Sequence, residues 1–182
     1  MKIVTFLANG FEESEAIIVV DILRRAGIIV ETASINENLE VESSHQIKVI
    51  ADKKFSEINC KNFDAVFLPG GGIGVKNFIE SVPLASIVKS FYDSNKIIIA
   101  ICAAPTFLEK LGIIKGKNIT LYPDMVKDIS SAKCVDEKVV IDGKIITSKG
   151  FGTAIDLGLK LVEKFISLEK SLDLKKKIVY DD

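Results

Sequence analysis

The sequence is poor in the residues that mark several protein classes. It has no tryptophan, a single histidine (His45) and only three cysteines in 182 residues. Cys60, Cys102 and Cys134 are odd in number and show no CxxC spacing. This argues against a disulfide scaffold or a zinc ribbon and for a reducing, cytoplasmic setting. There is no surplus of charge: 24 Lys plus Arg face 25 Asp plus Glu, a net −1 at pH 7. A nucleic-acid-binding domain normally carries a basic excess, so that class is disfavoured. Long apolar runs are missing too. Ile97–Ala104 reads IIIAICAA and stops at Pro105, far short of the roughly 18 residues a membrane span needs. The N-terminus, MKIVTFLANG, meets Glu12 and Glu13 without a cleavage pattern and reads as part of the fold. Low-complexity stretches are absent and 48% of residues are hydrophobic, which argues against disorder. A chain of this length fits one domain with a core of its own.

What is present alternates. Lys2–Ala8 is a short apolar run ending at the Gly10 turn. Residues 12–26 place Ala16, Val19, Val20 and Leu23 on one helical face, with Gly27 as the stop. Residues 28–35 read as a strand and Val41–Ala51 as a short hairpin or flap. Asp64–Leu68 is a buried strand closed by Pro69-Gly70-Gly71-Gly72. A helix is expected from about Val75 to Asp93, with Phe78, Ile79, Ile87, Val88 and Phe91 on its apolar face. Lys96–Ile101 is a fully apolar strand, Ala104–Leu111 a short helix and Asn118–Leu121 a weaker strand. Lys138–Ile141 and Ile145–Ser148 flank Asp142-Gly143, a strong hairpin signal. Thr153 is positioned to cap a long helix carrying Ile155, Leu159, Val162 and Ile166. Apolar strands alternating with amphipathic helices imply an α/β fold: a three-layer α/β/α sandwich with a mostly parallel sheet and an antiparallel edge. Residues 1–167 form the expected single domain, and 168–182 a C-terminal helix or tail packed on it. Its Lys175-Lys176-Lys177 run reads as surface. Active sites in such sheets lie at the carboxyl ends of the strands.

One strand end carries a nucleophile candidate. Cys102 lies between a buried strand and a helix start, with small residues at Ala100 and Ala104. A nucleophile elbow needs such neighbours where strand and helix approach closely. Helix N–H groups would favour a thiolate there, and Pro105 suits the first helical turn. The alternative use of Cys102 is as a small buried apolar residue. Cys60 and Cys134 have no comparable context. The loop after the first strand carries Glu12, Glu13 and Glu15. Such acids complement a helix dipole and repel phosphate, which argues against flavin mononucleotide. One of them could reach Cys102, and if protonated it would donate a hydrogen bond to the sulfur. The Pro69-Gly70-Gly71-Gly72-Ile73-Gly74 loop lacks the Gly-Lys-Ser/Thr end of a phosphate loop. It is either an oxyanion-binding backbone or a plain tight turn.

Taken together these segments resemble the DJ-one/ThiJ/PfpI family, in the branch of the Parkinson-disease-associated protein. The matching stretches are residues 10–15 (GFEESE), 20–27 (VDILRRAG), 68–71 (LPGG), 100–106 (AICAAPT), Tyr122-Pro123 with Lys127-Asp128, and 147–153 (TSKGFGT). They run in order from about residue 2 to 167, and the AICAAP string is the specific one. The resemblance implies a flavodoxin-like sandwich, homodimer formation, Cys102 as the reactive cysteine and Glu15 as the acid bonded to it. It also implies that the backbone N–H groups of Gly71 and Ala103 line the pocket, alongside Gly70 and Tyr122. Activities of the family include glyoxalase-type conversion of methylglyoxal to lactate, deglycation of early adducts, peroxide sensing through cysteine sulfinate, chaperone action and, in distant branches, proteolysis.

Three departures stand out. Ala103 follows the cysteine where a protease-like branch has His, Tyr122 replaces a His of some relatives, and Phe151 replaces the usual Pro of the Gly-Pro-Gly-Thr loop. A Cys–His dyad would require His45, either exposed on the flap or brought in by a partner chain. A class I glutamine amidotransferase needs a downstream His that the chain lacks. Two readings follow. One is a cofactor-independent, metal-free enzyme in which Cys102 and Glu15 process a small 2-oxoaldehyde or a glycated adduct. The other is a redox sensor or protective protein whose Cys102 oxidises to sulfinate.

Overall fold

The computed structural model describes residues 1–180. β1 (Lys2–Leu7) leads into α1 (Glu13–Arg25) and β2 (Ile29–Ser34). β3 (Glu40–Glu42) and β4 (Lys48–Ile50) pair antiparallel as the expected flap, followed by β5 (Lys53–Lys54). Next come β6 (Ala65–Leu68), α2 (Gly72–Glu80), α3 (Val82–Asp93), β7 (Ile97–Ile101) and α4 (Ala104–Lys110). β8 (Asn118–Ile119) pairs with β9 (Lys133–Cys134) beside the main sheet. β10 (Val139–Asp142), β11 (Ile145–Ser148), α5 (Ala154–Phe165) and α6 (Leu168–Lys177) complete the order.

The main sheet runs β10-β11-β7-β6-β1-β2-β5. Every pair in it is parallel except β10 with β11, which turn at Asp142-Gly143 as expected. Alternation along the strands builds two cores. Val4, Phe6, Val66, Leu68, Ile98 and Ala100 pack with Phe78, Val88, Phe91 and Phe107 of α2, α3 and α4. Ile3, Phe67, Ile99 and Ile101 pack with Val19, Leu23, Leu157 and Leu161 of α1 and α5. Helices on both faces explain why the central strands read as unbroken apolar runs. The long helix expected over 75–93 is two helices. Ser81 is extended, and its side chain caps Leu84 N–H at 3.3 Å with Pro83 in the new first turn. Those are the signals of a helix start, and a face drawn through both segments wrongly includes the partly exposed Ile79.

α5 ends before Ile166, which is exposed. Thr153 stands at its N-cap position, but its hydroxyl turns to Gly150 and Ser148 instead of the helix amides. α6 packs on α5 through buried Leu174 and a hydrogen bond from Ser171 Oγ to Leu159 O (2.8 Å). Among the described residues no helix is long and apolar enough to cross a membrane.

Thr5, at the centre of β1, is fully buried, and its hydroxyl is the one buried side-chain polar atom without a partner among the described residues. Such a hydroxyl costs free energy that a methyl of the same shape does not. Thr5→Val should therefore raise stability by about 1 kcal/mol in denaturant unfolding.

Candidate active site

Four loops meet at the carboxyl edge of the sheet, those after β1, β6, β7 and β11. The elbow after β7 is as the spacing suggested. Cys102 adopts φ 62°, a left-handed backbone that a non-glycine residue enters at a cost of roughly 1–3 kcal/mol. Both of its main-chain polar groups are held: its N–H donates to Ser148 O, and its C=O accepts from Tyr122 N–H, each at 3.0 Å. Ala100 and Ala104 on either side are completely buried, so the turn is set by packing and by the two strand-end loops it touches.

The acid is Glu15, in the first turn of α1 and 1% exposed. Gly70 N–H donates to its Oε2 at 2.8 Å, and the Cys102 side chain and Phe151 N–H also hydrogen-bond to its carboxyl. Gly70 must lack a side chain, because a Cβ there would come within 2.5 Å of Cys102 Cβ. Gly71 has φ 96°, and a Cβ on it would lie 2.7 Å from Glu12 N. Its N–H and that of Ala103 face the Cys102 sulfur. The loops after β1 and β6 are tied by Glu12 N–H to Gly70 O (2.9 Å) and Gly74 N–H to Gly10 O (3.0 Å).

Burial acts on both members of the pair. Burial pushes the Glu15 carboxyl up to about 7, against the hydrogen bonds it accepts. Burial and then the neighbouring Glu15 carboxylate push the Cys102 thiol up to about 12, against the pull of the Ala103 and Gly71 amides. A buried neighbour that ionises first opposes the second charge. The pair therefore resists carrying two negative charges, and the thiol proton lies within reach of the Glu15 carboxyl.

A cavity of about 380 Å³ opens over this pair, lined by Glu12, Glu15, Cys102, Tyr122, Pro123, Lys149, Gly150, Phe151, Gly152 and Thr153. The sequence reading gives the 149–153 segment no part in the site. It follows a buried parallel strand and contains Gly-Phe-Gly, which is the signal that could have marked it. It is shaped by Thr153, whose hydroxyl donates to Gly150 O (2.9 Å), accepts from Gly150 N–H (3.1 Å) and lies 2.7 Å from Ser148 Oγ. Of the four expected pocket residues only Tyr122 lines the cavity; the Gly70 N–H serves the Glu15 carboxyl, and the Gly71 and Ala103 N–H groups lie at the sulfur. His45 lies elsewhere in the chain. On the flap its Nδ1 meets Glu13 Oε1 at 2.8 Å and Glu12 Oε2 at 3.8 Å, and it does not line the cavity. These three side chains are the one His/Cys/Asp/Glu group among the described residues close enough together to share an ion, and the imidazole is largely exposed. Cys60 and Cys134 pack against the opposite core.

This elbow, the buried acid beside it and the flanking glycine loop match a known family, whose sequence profile covers residues 1–164. The chain belongs to the DJ-1/PfpI family. It is 38% identical over 176 residues to DJ-1 homolog B of Arabidopsis thaliana, matching 96% of this chain and 40% of that one. It spans 45% of homolog A, again less than half of the plant protein. Against the glutathione-independent glyoxalase DJ-1 of Schizosaccharomyces pombe it is 33% identical over 180 residues, 93% of this chain and 94% of that one. The crystal structure of Drosophila melanogaster DJ-1β superposes with a TM-score of 0.95 at 37% identity, covering 100% of this chain and 98% of that one. The flavodoxin-like sandwich of the DJ-1 family is thus this chain's fold.

The raised Glu15 carboxyl has a consequence for stability. Its ordinary value is 4.5, so between 4.5 and about 7 the folded state holds a proton that the unfolded chain has lost. Stability is present in full below that window and is lost as pH rises through it. Glu15→Gln should remove this loss, so that wild type falls relative to the variant by about 3 kcal/mol between pH 4 and pH 8 in urea unfolding.

Proposed function

We propose that Cys102 and Glu15 act as nucleophile and proton shuttle on small 2-oxoaldehydes or their early adducts, without metal or organic cofactor. The observation that carries this reading is a left-handed cysteine whose sulfur meets a buried carboxyl titrating near neutrality. A family relative whose name is glutathione-independent glyoxalase supports the same chemistry.

In this mechanism the ionised Glu15 takes the thiol proton as the sulfur attacks the aldehyde carbon, forming a carbon–sulfur bond. The carbonyl electron pair moves to oxygen, which takes the proton back from Glu15 to give a hemithioacetal. Glu15 next removes the hydrogen on that carbon while the adjacent carbonyl oxygen is protonated, giving an enediol; the first hydroxyl then gives up its proton as Glu15 returns one to the adjacent carbon, leaving a thioester and a 2-hydroxyl. Water then cleaves the thioester, releasing a 2-hydroxy acid and the free thiol. The first carbon is oxidised and the second reduced, so no external oxidant enters. Methylglyoxal would give lactate. The reading includes a homodimer as the working form.

A second reading shares the sulfur. The Gly71 and Ala103 amides that face it could hold the oxygens of a sulfinate, formed as two peroxides are reduced to water. Intact mass after graded peroxide would then gain two oxygens on the Cys102 peptide. Preferential modification of Cys60 or Cys134 would refute this second reading.

For the enzyme, lactate formation by Cys102→Ser should be abolished, and normal turnover by that variant would end the proposal. Glu15→Gln should lower kcat/KM by roughly 10²–10⁴ while leaving peroxide oxidation of Cys102 measurable. Because the base must be ionised, wild-type kcat/KM should climb with pH and level off above about 7.

A further inference from the structure

Two large aromatic side chains border the cavity over Cys102, and neither is covered. Phe151 is 61% exposed and Tyr122 is 45% exposed. Single exposed apolar residues are common, but two rings on one cavity beside a nucleophile form a surface. Neither ring is carried on a loose loop. Tyr122 is tied to the elbow by its N–H on Cys102 O. Phe151 lies in the turn set by the Thr153, Gly150 and Ser148 bonds, with its N–H on the Glu15 carboxyl. The cavity, about 380 Å³, falls in the range of roughly 300–1,000 Å³ that accommodates ligands larger than a three-carbon aldehyde. Gly150, next to Phe151 in the same turn, lies against the pair: a Cβ there would sit 3.6 Å from both Cys102 Sγ and Glu15 Oε1. The turn carrying Phe151 therefore reaches the reacting pair itself, as the loop carrying Tyr122 does through its bond to the elbow.

We infer that Phe151 and Tyr122 are specificity-determining residues and that the site selects 2-oxoaldehydes bearing an aryl group. This rests on the reaction proposed above and names its substrate class. The aryl ring would lie against the Phe151 and Tyr122 faces while the aldehyde carbon meets Sγ. Aromatic pairs favour one another beyond their buried area, by an amount equivalent to roughly two- to tenfold in affinity. With phenylglyoxal the same steps add one water and give mandelate, again without an oxidant.

The test compares kcat/KM for phenylglyoxal and methylglyoxal in wild type, Phe151→Ala and Tyr122→Ala. Alanine at 151 keeps the main-chain N–H on Glu15. Wild type should favour phenylglyoxal about tenfold or more, and each variant should cut that ratio by roughly two- to tenfold with methylglyoxal turnover changing less. A second readout needs no turnover: acetophenone should protect Cys102 from iodoacetamide at lower concentration than acetone, and less so in the variants. Turnover of both aldehydes with an unchanged ratio overturns the specificity inference alone, as does a variant effect confined to oligomeric state. If neither aldehyde is turned over, the proposed reaction fails, and equal protection by the two ketones then removes the aryl site as well.

Discussion

The contact between a buried carboxyl and a sulfur at a left-handed turn is the constraint on which the carboxyl edge of this sheet depends. Glu15 is almost fully buried, so protein groups replace most of its carboxyl's hydration. The Gly70 and Phe151 amides and the Cys102 side chain do so incompletely, which is why burial remains the dominant influence on both groups. Placing one negative charge there is costly, and placing two is prohibitive. The site thereby opposes a second negative charge and couples the protonation of the oxygen to that of the sulfur.

The rest of the architecture holds that arrangement against strain. A cysteine at φ 62° would relax if its turn were free. It is not, because Ile97–Ile101 is buried between β6 and β11, and the Cys102 N–H and C=O are both occupied. The two cores on either face thus have a role beyond stability: they keep the ends of four strands in fixed register, and the loops inherit that precision. Gly70 and Gly71 permit the final approach, since any side chain would collide with the elbow or with the loop after β1.

Much of this was legible before any coordinates. The alternation of apolar strands and amphipathic helices determined the layers, and Ala100, Ala104 and Pro105 marked the elbow by sterics alone. Glu15 was separable from Glu12 and Glu13 only through family resemblance, because spacing does not say which first-turn acid points inward. Two features were hidden for physical reasons. The break at Ser81 was obscured because apolar positions continue in phase across it, although Ser81 and Pro83 carried the capping signal. The electrostatics were only half legible, because a helix N-terminus can be weighed from sequence whereas desolvation acts in proportion to burial that sequence does not display. The 149–153 wall was missed because what places it at the site is the fold of a turn held by Thr153 and by its position after β11, which no single residue of the segment announces.

The same balance of charges bears on which molecules the edge can process. A flavodoxin-like frame ordinarily offers a helix N-terminus to phosphate, but here α1 begins with Glu12, Glu13 and Glu15, and Glu12 borders the cavity itself. An anionic substrate would meet that carboxylate on entry and the Glu15–Cys102 charge at the base, with Lys149 on the wall already paired to Asp136. A neutral electrophile meets neither penalty. An aldehyde reacting there would leave as a carboxylate, so the field that admits the substrate without cost would help expel the product, coupling the direction of the chemistry to the charge of the cavity.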